Sequence, residues 1–414
     1  MGKTRSAREN LVRSIGEASE LPFSRAEYKL RLRKIRREMA LRGIDLLFLS
    51  SPESMFYVCG YRCEWYQGQS PTEWPPASGV AIRSDDDRFI LFDICDEELM
   101  DRSETVATDI RIFTDEDCRP MPGWIADQLR KEAWIPCTVG LEMWSYRPNR
   151  LTSELFQNAL EKKGCKVVDG SEVVRSLRSI KSEAELRCVE KAAKIADIGM
   201  NAAIDLMKPG IMELQVYGEI VRAMASAGGE TPGITMPVIS GPRCARAHAL
   251  ASRKRIERGE IVNVDVSGVF NRYHSNMART FSIGKPKPEV ERMVELSAGS
   301  FEVIRKIVSP GLNVGDFLDV LKRYYERVGI EKEKLWYGGY ELGIAFPPDW
   351  VGTFVYDPTL DVRGRLFAPG MVVNYESNFY LPHMAGASLL INTIVFRKDR
   401  ATIMGRIPND IIVV

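Results

Sequence analysis

The stretch 259–281, GEIVNVDVSGVFNRYHSNMARTF, constrains this chain more than any other. After Gly259, valines stand at 262, 264 and 266, every second position, which is the period of a strand whose successive side chains face opposite sides. Asn263 and Asp265 then share the other face. Gly268 is expected to let the chain turn, and Phe270 to Phe281 to return as a second strand carrying Tyr273, His274, Asn276 and Arg279. A carboxylate on a core strand needs a partner or a task. Asp265 as a hydrogen-bonded structural residue is the bland alternative. The density of polar groups on short apolar-flanked strands, with His248 seventeen residues earlier (265 − 248), points instead to a site.

At 414 residues the chain exceeds an ordinary single core, so two domains are expected, divided as 1–177 and 178–414. The formal net charge of +1, from 57 basic and 56 acidic residues, supports neither nucleic acid nor a membrane surface as a partner. No apolar run is long enough to span a bilayer. The polar first twenty residues lack the apolar segment of a secretory signal, and a cytoplasmic location is expected. The eight cysteines are scattered; only Cys59 and Cys63 are close, and no second pair completes a zinc site.

Taken in order, residues 24–42 read as a basic amphipathic helix, with Ser24 and Glu27 spaced as a capping box. A buried strand follows at 44–49. Residues 61–78 form a long aromatic, proline-rich loop whose Trp65, Tyr66 and Trp74 suit either packing or a pocket wall. Strands at 79–83 and 88–93, then helix, strand, helix and strand over 121–177, make an α/β first half. Ser182 and Glu185 form a second capping box opening a helix over 183–207, which Lys208-Pro209-Gly210 stops. Helices are expected at 213–227, 289–308 and 314–328, with strands around 236–240 and toward the C-terminus.

Three segments in this order, IKSEAELRCVEKAAKIADIG from residue 180, the 259–281 hairpin, and PGMVVNYES at 369–377, resemble the creatinase and aminopeptidase P family over nearly the whole chain. The resemblance implies an α/β N-terminal domain followed by an α+β catalytic domain of the pita-bread fold. Most members are dinuclear metallopeptidases, whose ligands are an Asp, a second Asp eleven residues on, a His and two Glu. Carried onto this chain, those positions are Asp265, Asn276 (265 + 11), Tyr340, Glu376 and a residue near Leu389 or Leu390. Two carboxylates and an amide make a poor cage for two cations. The resemblance therefore points to the metal-free branch, which includes creatinase and ectoine hydrolase, with no cofactor and no metal.

That branch implies hydrolysis of a C–N bond in a small zwitterionic compound. It implies His248 as acid–base, with Asp265 and Glu376 as the other catalytic groups. It also implies a homodimer in which the partner's N-terminal domain completes the site, and loop 61–78 is the candidate segment. Expected substrate contacts are Trp65, Trp74, Tyr273, His274, Tyr340, Asp349 and Trp350. The aromatics suit a cationic or cyclic ligand, and Tyr340 suits hydrogen bonding where a metal would otherwise polarise the substrate. Glu376, in an apolar run, is expected to have a raised pKa unless it meets a cation. A metallopeptidase, a lyase on the same fold and a non-catalytic binding protein are the competing readings.

Overall fold

The computed structural model describes residues 21–63, 78–114, 120–381 and 386–414. The chain divides into two compact units, Met1–Arg178 and Ser179–Val414.

The first unit runs α1 (Arg25–Leu41), β1 (Leu46–Leu49), α2 (Pro52–Cys59), β2 (Gly79–Arg83), β3 (Phe89–Ile94), α3 (Glu98–Glu104), β4 (Asp109–Phe113), α4 (Met121–Lys131), β5 (Thr138–Leu141), α5 (Arg150–Glu161), β6 (Lys166–Asp169) and α6 (Ser171–Arg178). Its six strands lie in the order β4-β3-β2-β1-β5-β6. β1 pairs parallel with β5 and antiparallel with β2, so the sheet is mixed. Phe48, Phe92, Trp124 and Phe156 pack together in its core. α2 starts where Ser51 caps Ser54 and Pro52 fixes the first turn. The buried Glu142 carboxylate accepts the Ser50 and Ser51 N–H groups, each at 2.7 Å. Trp65 and Trp74 lie outside the described residues.

The second unit holds α7 (Glu183–Leu206), α8 (Glu213–Ser226), β7 (Val238–Ser240), β8 (Ile261–Phe270), β9 (Tyr273–Ser282), α9 (Pro288–Ile307), α10 (Val314–Val328), β10 (Lys334–Tyr340), β11 (Val355–Tyr356), β12 (Val372–Tyr380), β13 (Ala387–Ser388), β14 (Ile391–Phe396), β15 (Ala401–Ile403) and β16 (Ile412–Val413). The main path of its ten-stranded sheet is β11-β10-β12-β14-β9-β8-β7. The Ser182 and Glu185 capping box is formed at the start of α7.

The hairpin differs from expectation at its turn. β8 runs straight through Gly268, and the reversal falls at Asn271 and Arg272, whose φ angles are 48° and 63°. The Glu230 carboxylate pins this turn by accepting both backbone N–H groups, at 2.8 and 2.9 Å. Gly268 serves a different purpose: a Cβ there would lie 1.9 Å from the Ala192 carbonyl oxygen, so only glycine lets α7 sit against β8.

That contact fixes which face of the sheet is free. α7 covers the face carrying Val266 and Gly268. On β12, Ser297 of α9 hydrogen-bonds Ser377, and Tyr325 of α10 hydrogen-bonds Tyr375 and Ser377. Residues of odd number on β8 and even number on β12 therefore point away from these helices, and these include Asp265 and Glu376.

The loop between β7 and β8, which carries His248, is braced by one buried carboxylate. Glu213 accepts hydrogen bonds from the Ser240 N–H (2.8 Å) and hydroxyl (2.8 Å) and from the Ser252 N–H (2.9 Å) and hydroxyl (2.7 Å). It also pairs with Arg243. Burial alone would raise its pKa, but the hydrogen bonds from Ser252, Ser240 and Arg243 outweigh burial and hold it below the usual value. Removing one partner of a buried charged network costs about 3 kcal/mol or more. Glu213→Ala should therefore lower the melting temperature and open residues 241–252 to limited proteolysis. An unchanged melting temperature and digestion pattern would show that the brace contributes nothing.

Candidate active site

The sheet register places Asp265 opposite Ala278, Ala278 opposite Ile391, and Ile391 opposite Glu376. Four strands thus carry one lateral row with a carboxylate at each end and two apolar residues between. Ala278, Leu389 and Ile391 form a small buried apolar cluster. Ile391 is the member of this row beside Glu376, one and two residues beyond Leu390 and Leu389.

The adjacent row is polar and joins the two carboxylates. Asn276 Nδ2 donates to Asp265 Oδ1 at 2.7 Å. Asn276 Oδ1 accepts from Asn374 Nδ2 at 3.1 Å, and the same Nδ2 donates to Glu376 Oε1 at 2.9 Å. Asn378 Nδ2 donates to Glu376 Oε2 at 2.8 Å. Glu376 is therefore flanked on its own face by two amides, not by the apolar neighbours its sequence suggests; those point to the helices. Both of its oxygens are engaged. Asp265 is half-buried, and among the described residues its Oδ2 accepts no hydrogen bond.

Both carboxyls are raised. Desolvation pushes Asp265 up to about 7 against the Asn276 hydrogen bond. Desolvation, then the Asp265 charge, pushes Glu376 up to about 8. Tyr340 stands over the polar row. Its backbone N–H donates to Asn374 Oδ1 at 2.7 Å, and its hydroxyl accepts from Trp350 Nε1 at 3.0 Å and lies 3.5 Å from Asn276 Oδ1. Burial, then the charges of Glu376 and Asp265, holds the phenol well above its usual range, so it stays protonated.

The other expected contacts are placed differently. His274 is fully buried: Nε2 accepts the Gly233 N–H at 3.0 Å, and Nδ1 lies 3.0 Å from the Arg272 carbonyl, which fixes one neutral tautomer. Tyr273 is buried and donates to Glu185 Oε1 at 2.5 Å. The polar groups of both tie the hairpin to its surroundings. Asp349 is exposed and accepts the Val351 N–H at 3.0 Å, which makes it a turn residue. Trp350 is in the cluster, with 3% exposure and its indole nitrogen turned to Tyr340. His248 sits exposed on a turn, and among the described residues no hydrogen bond or ion pair joins it to either carboxylate. Asn374 and Asn378, absent from the sequence-based set, belong to the site. Their signal was the alternation Asn374, Glu376, Asn378 along one strand face.

The donor set does not fit a two-metal centre. The side chains at and between the two carboxylates are Asp265, Asn276, Tyr340, Glu376 and Ile391. Three of Asp265's and Glu376's four carboxylate oxygens already accept amide hydrogen bonds. One of the five side chains is a hydrocarbon, and none is an imidazole.

An α/β unit followed by a pita-bread unit, with paired carboxylates on the face of the sheet away from its helices, defines the class of protein. Residues 187–413 match the family described as Metallopeptidase family M24, and residues 31–180 match the Creatinase/Prolidase N-terminal domain. The chain belongs to the M24 family. It is 28% identical over 376 residues to the ectoine hydrolase of Halomonas elongata, covering 87% of this chain and 91% of that protein. It is 26% identical over 366 residues to the Xaa-Pro dipeptidase of Pyrococcus furiosus, covering 87% and 93%. Among solved structures, the Xaa-Pro dipeptidase from Bacillus anthracis superposes with a TM-score of 0.76 at 20% identity, over 94% of this chain and 100% of that one. No helix among the described residues is long and apolar enough to cross a membrane.

The buried His274 makes an acid-stability prediction. Burial, and then the Arg272 charge, lower its pKa from 6.5 to about 3, so below pH 6.5 the unfolded chain takes up a proton that the folded chain refuses. Stability is then lost as pH falls from about 6.5 toward 3, by up to about 1.4 kcal/mol per pH unit from this residue. Melting temperature against pH should slope less in His274→Gln than in the parent protein, although the variant starts lower. Equal slopes would contradict the assignment.

Proposed function

We propose that the protein is a metal-independent hydrolase of a C–N bond in a small zwitterionic compound of the amidine, ureido or cyclic type. The observation that carries this reading is the row Asp265–Ala278–Ile391–Glu376, two carboxylates separated by hydrocarbon, where a metallopeptidase of this fold needs ligands. A cationic group on the substrate stabilises both carboxylates in their ionised form, offsetting the desolvation that raises them. Asp265 presents its open Oδ2 to the carbon under attack, or to a water directed at it. Tyr340 donates a hydrogen bond to the charge that develops. His248, on the loop that Glu213 braces, delivers the proton with which the nitrogen leaves. The apolar strip of Ala278 and Ile391 takes the hydrocarbon part of the substrate. A homodimer completes the site, with loop 61–78, including Trp65 and Trp74, as the partner's contribution. The likeness to a protein named ectoine hydrolase supports this reading.

The second reading is hydrolysis of Xaa-Pro dipeptides, favoured by the names of several relatives. A thermal-shift and turnover screen separates the two. Ectoine, hydroxyectoine, creatine, cyclic ureides and betaines form one arm, and Xaa-Pro dipeptides with added manganese form the other. The proposal expects a raised melting temperature and C–N cleavage in the first arm only. Hydrolysis confined to the dipeptide arm would overturn it.

On the compound that turns over, Asp265→Asn, Glu376→Gln and His248→Ala should each cost at least about a hundredfold in kcat. Double variants should cost little more than the worse single, because the groups act as a unit. Near-normal turnover in His248→Ala would remove the histidine from the mechanism. Sedimentation velocity should find a dimer; an active monomer would contradict the shared site.

A further inference from the structure

Trp350 is an aromatic residue beside a site proposed for a small cation, and stacking on that cation is the obvious use for it. Its surroundings argue otherwise. The residue is 3% exposed. Its backbone is pressed against Gly233, where a Cβ would lie 2.2 Å from the Asp349 carbonyl oxygen and 3.1 Å from the Trp350 nitrogen, so that position has room only for glycine. Gly233 is itself held by its N–H bond to His274 Nε2, and the His274 ring lies 6.4 Å from the Trp350 ring at 47°. Trp350 is thus seated on the buried histidine through a glycine that admits no side chain.

The polar end of the indole is what reaches the site. An indole nitrogen donates and does not accept, so at 3.0 Å from Trp350 Nε1 the Tyr340 oxygen is an acceptor. The hydroxyl's own proton must then point away from Trp350. On that side lie Asn276 Oδ1, at 3.5 Å and already accepting from Asn374, and the Glu376 carboxylate, which accepts a hydrogen bond from the hydroxyl and raises the phenol's pKa. The other end of Tyr340 is equally fixed. Its N–H leaves the strand ladder and donates to the Asn374 side chain at 2.7 Å. The neighbouring Gly339, where a Cβ would lie 2.1 Å from the Asn374 carbonyl oxygen, allows the close approach.

We propose that Trp350 is a positioning residue: its indole N–H aims the Tyr340 hydroxyl proton toward Glu376 and Asn276 on the site face of the sheet, and it is not a stacking surface for the substrate. This rests on the reading of Tyr340 as the donor to the reacting group. A hydroxyl that accepts one hydrogen bond is polarised into a better donor of the next, and a donor fixed before the substrate arrives needs no reorganisation during reaction. His274 and Gly233 then act through Trp350, which accounts for a buried neutral histidine so near the site.

Two measurements test the proposal. The first needs no substrate. In the full-length protein labelled with 15N-tryptophan, the Trp350 indole resonance, identified by its loss in Trp350→Phe, should shift in Tyr340→Phe while the other indole resonances stay in place. An unmoved Trp350 resonance would overturn the proposal. The second uses steady-state kinetics with ectoine or creatine as probe. Tyr340→Phe should lower kcat about a hundredfold. Trp350→Phe, which keeps a ring and removes the N–H, should lower kcat about tenfold with KM within about twofold, and the double variant should match Tyr340→Phe alone. A Trp350→Phe effect that falls on KM and adds to that of Tyr340→Phe would identify a stacking residue and overturn the proposal. A Tyr340→Phe variant with normal kcat and a shifted indole resonance would instead sink the donor reading of Tyr340 and leave the aiming contact standing.

Discussion

The chain of side-chain hydrogen bonds from Asp265 through Asn276 and Asn374 to Glu376 is what the catalytic unit is arranged around. Two desolvated carboxyls, one of which raises the other's pKa by its charge, do not stay together inside a fold without help. Here amide groups supply it, since each can donate to one neighbour while accepting from another. Asn374 is the junction. Its Nδ2 reaches Asn276 and Glu376, and its Oδ1 takes the Tyr340 N–H, so one fully buried side chain ties together β9, β10 and β12.

The network can lie on that face only because the helices occupy the other. α7 closes on β8 at Gly268, and α9 and α10 bind the backs of β12 residues through Ser297 and Tyr325. The opposite faces of the same strands carry Asp265, Asn276, Asn374 and Glu376. Fold and site are therefore one constraint: the alternation that buries Val264, Val266, Tyr375 and Ser377 against helices sends the carboxylates to the free side. Two apolar residues, Ala278 and Ile391, lie between the carboxylates, and this separates the site chemically from a metal cage.

Much of this was legible in the sequence. The alternating valines of 262–266 put Asp265 on the face opposite theirs, the Ser182 and Glu185 box marks the start of α7, and the resemblance to the creatinase and aminopeptidase P family carries the two-unit fold. What was not legible is non-local. Gly268 looks like a turn residue until the Ala192 carbonyl is seen against it. Glu376 looks apolar in its surroundings because Val372, Val373 and Tyr375 precede it, although residues two away on either side are amides on the same face. Tyr273, His274 and Asp349 carry the composition of a binding site but spend their polar groups on Glu185, Gly233 and Val351. Which polar residue faces a ligand and which faces the fold depends on partners far away in the chain, and periodicity does not reveal that.

The central claim is that the Asp265–Glu376 pair works through amides and a phenol, without divalent cations. The most direct test is elemental analysis of the active protein purified without chelator. The account predicts well under one manganese, zinc, cobalt or iron atom per chain in a preparation that turns over its C–N substrate. Two tightly held ions per chain, with activity lost on their removal and regained on their return, would contradict it.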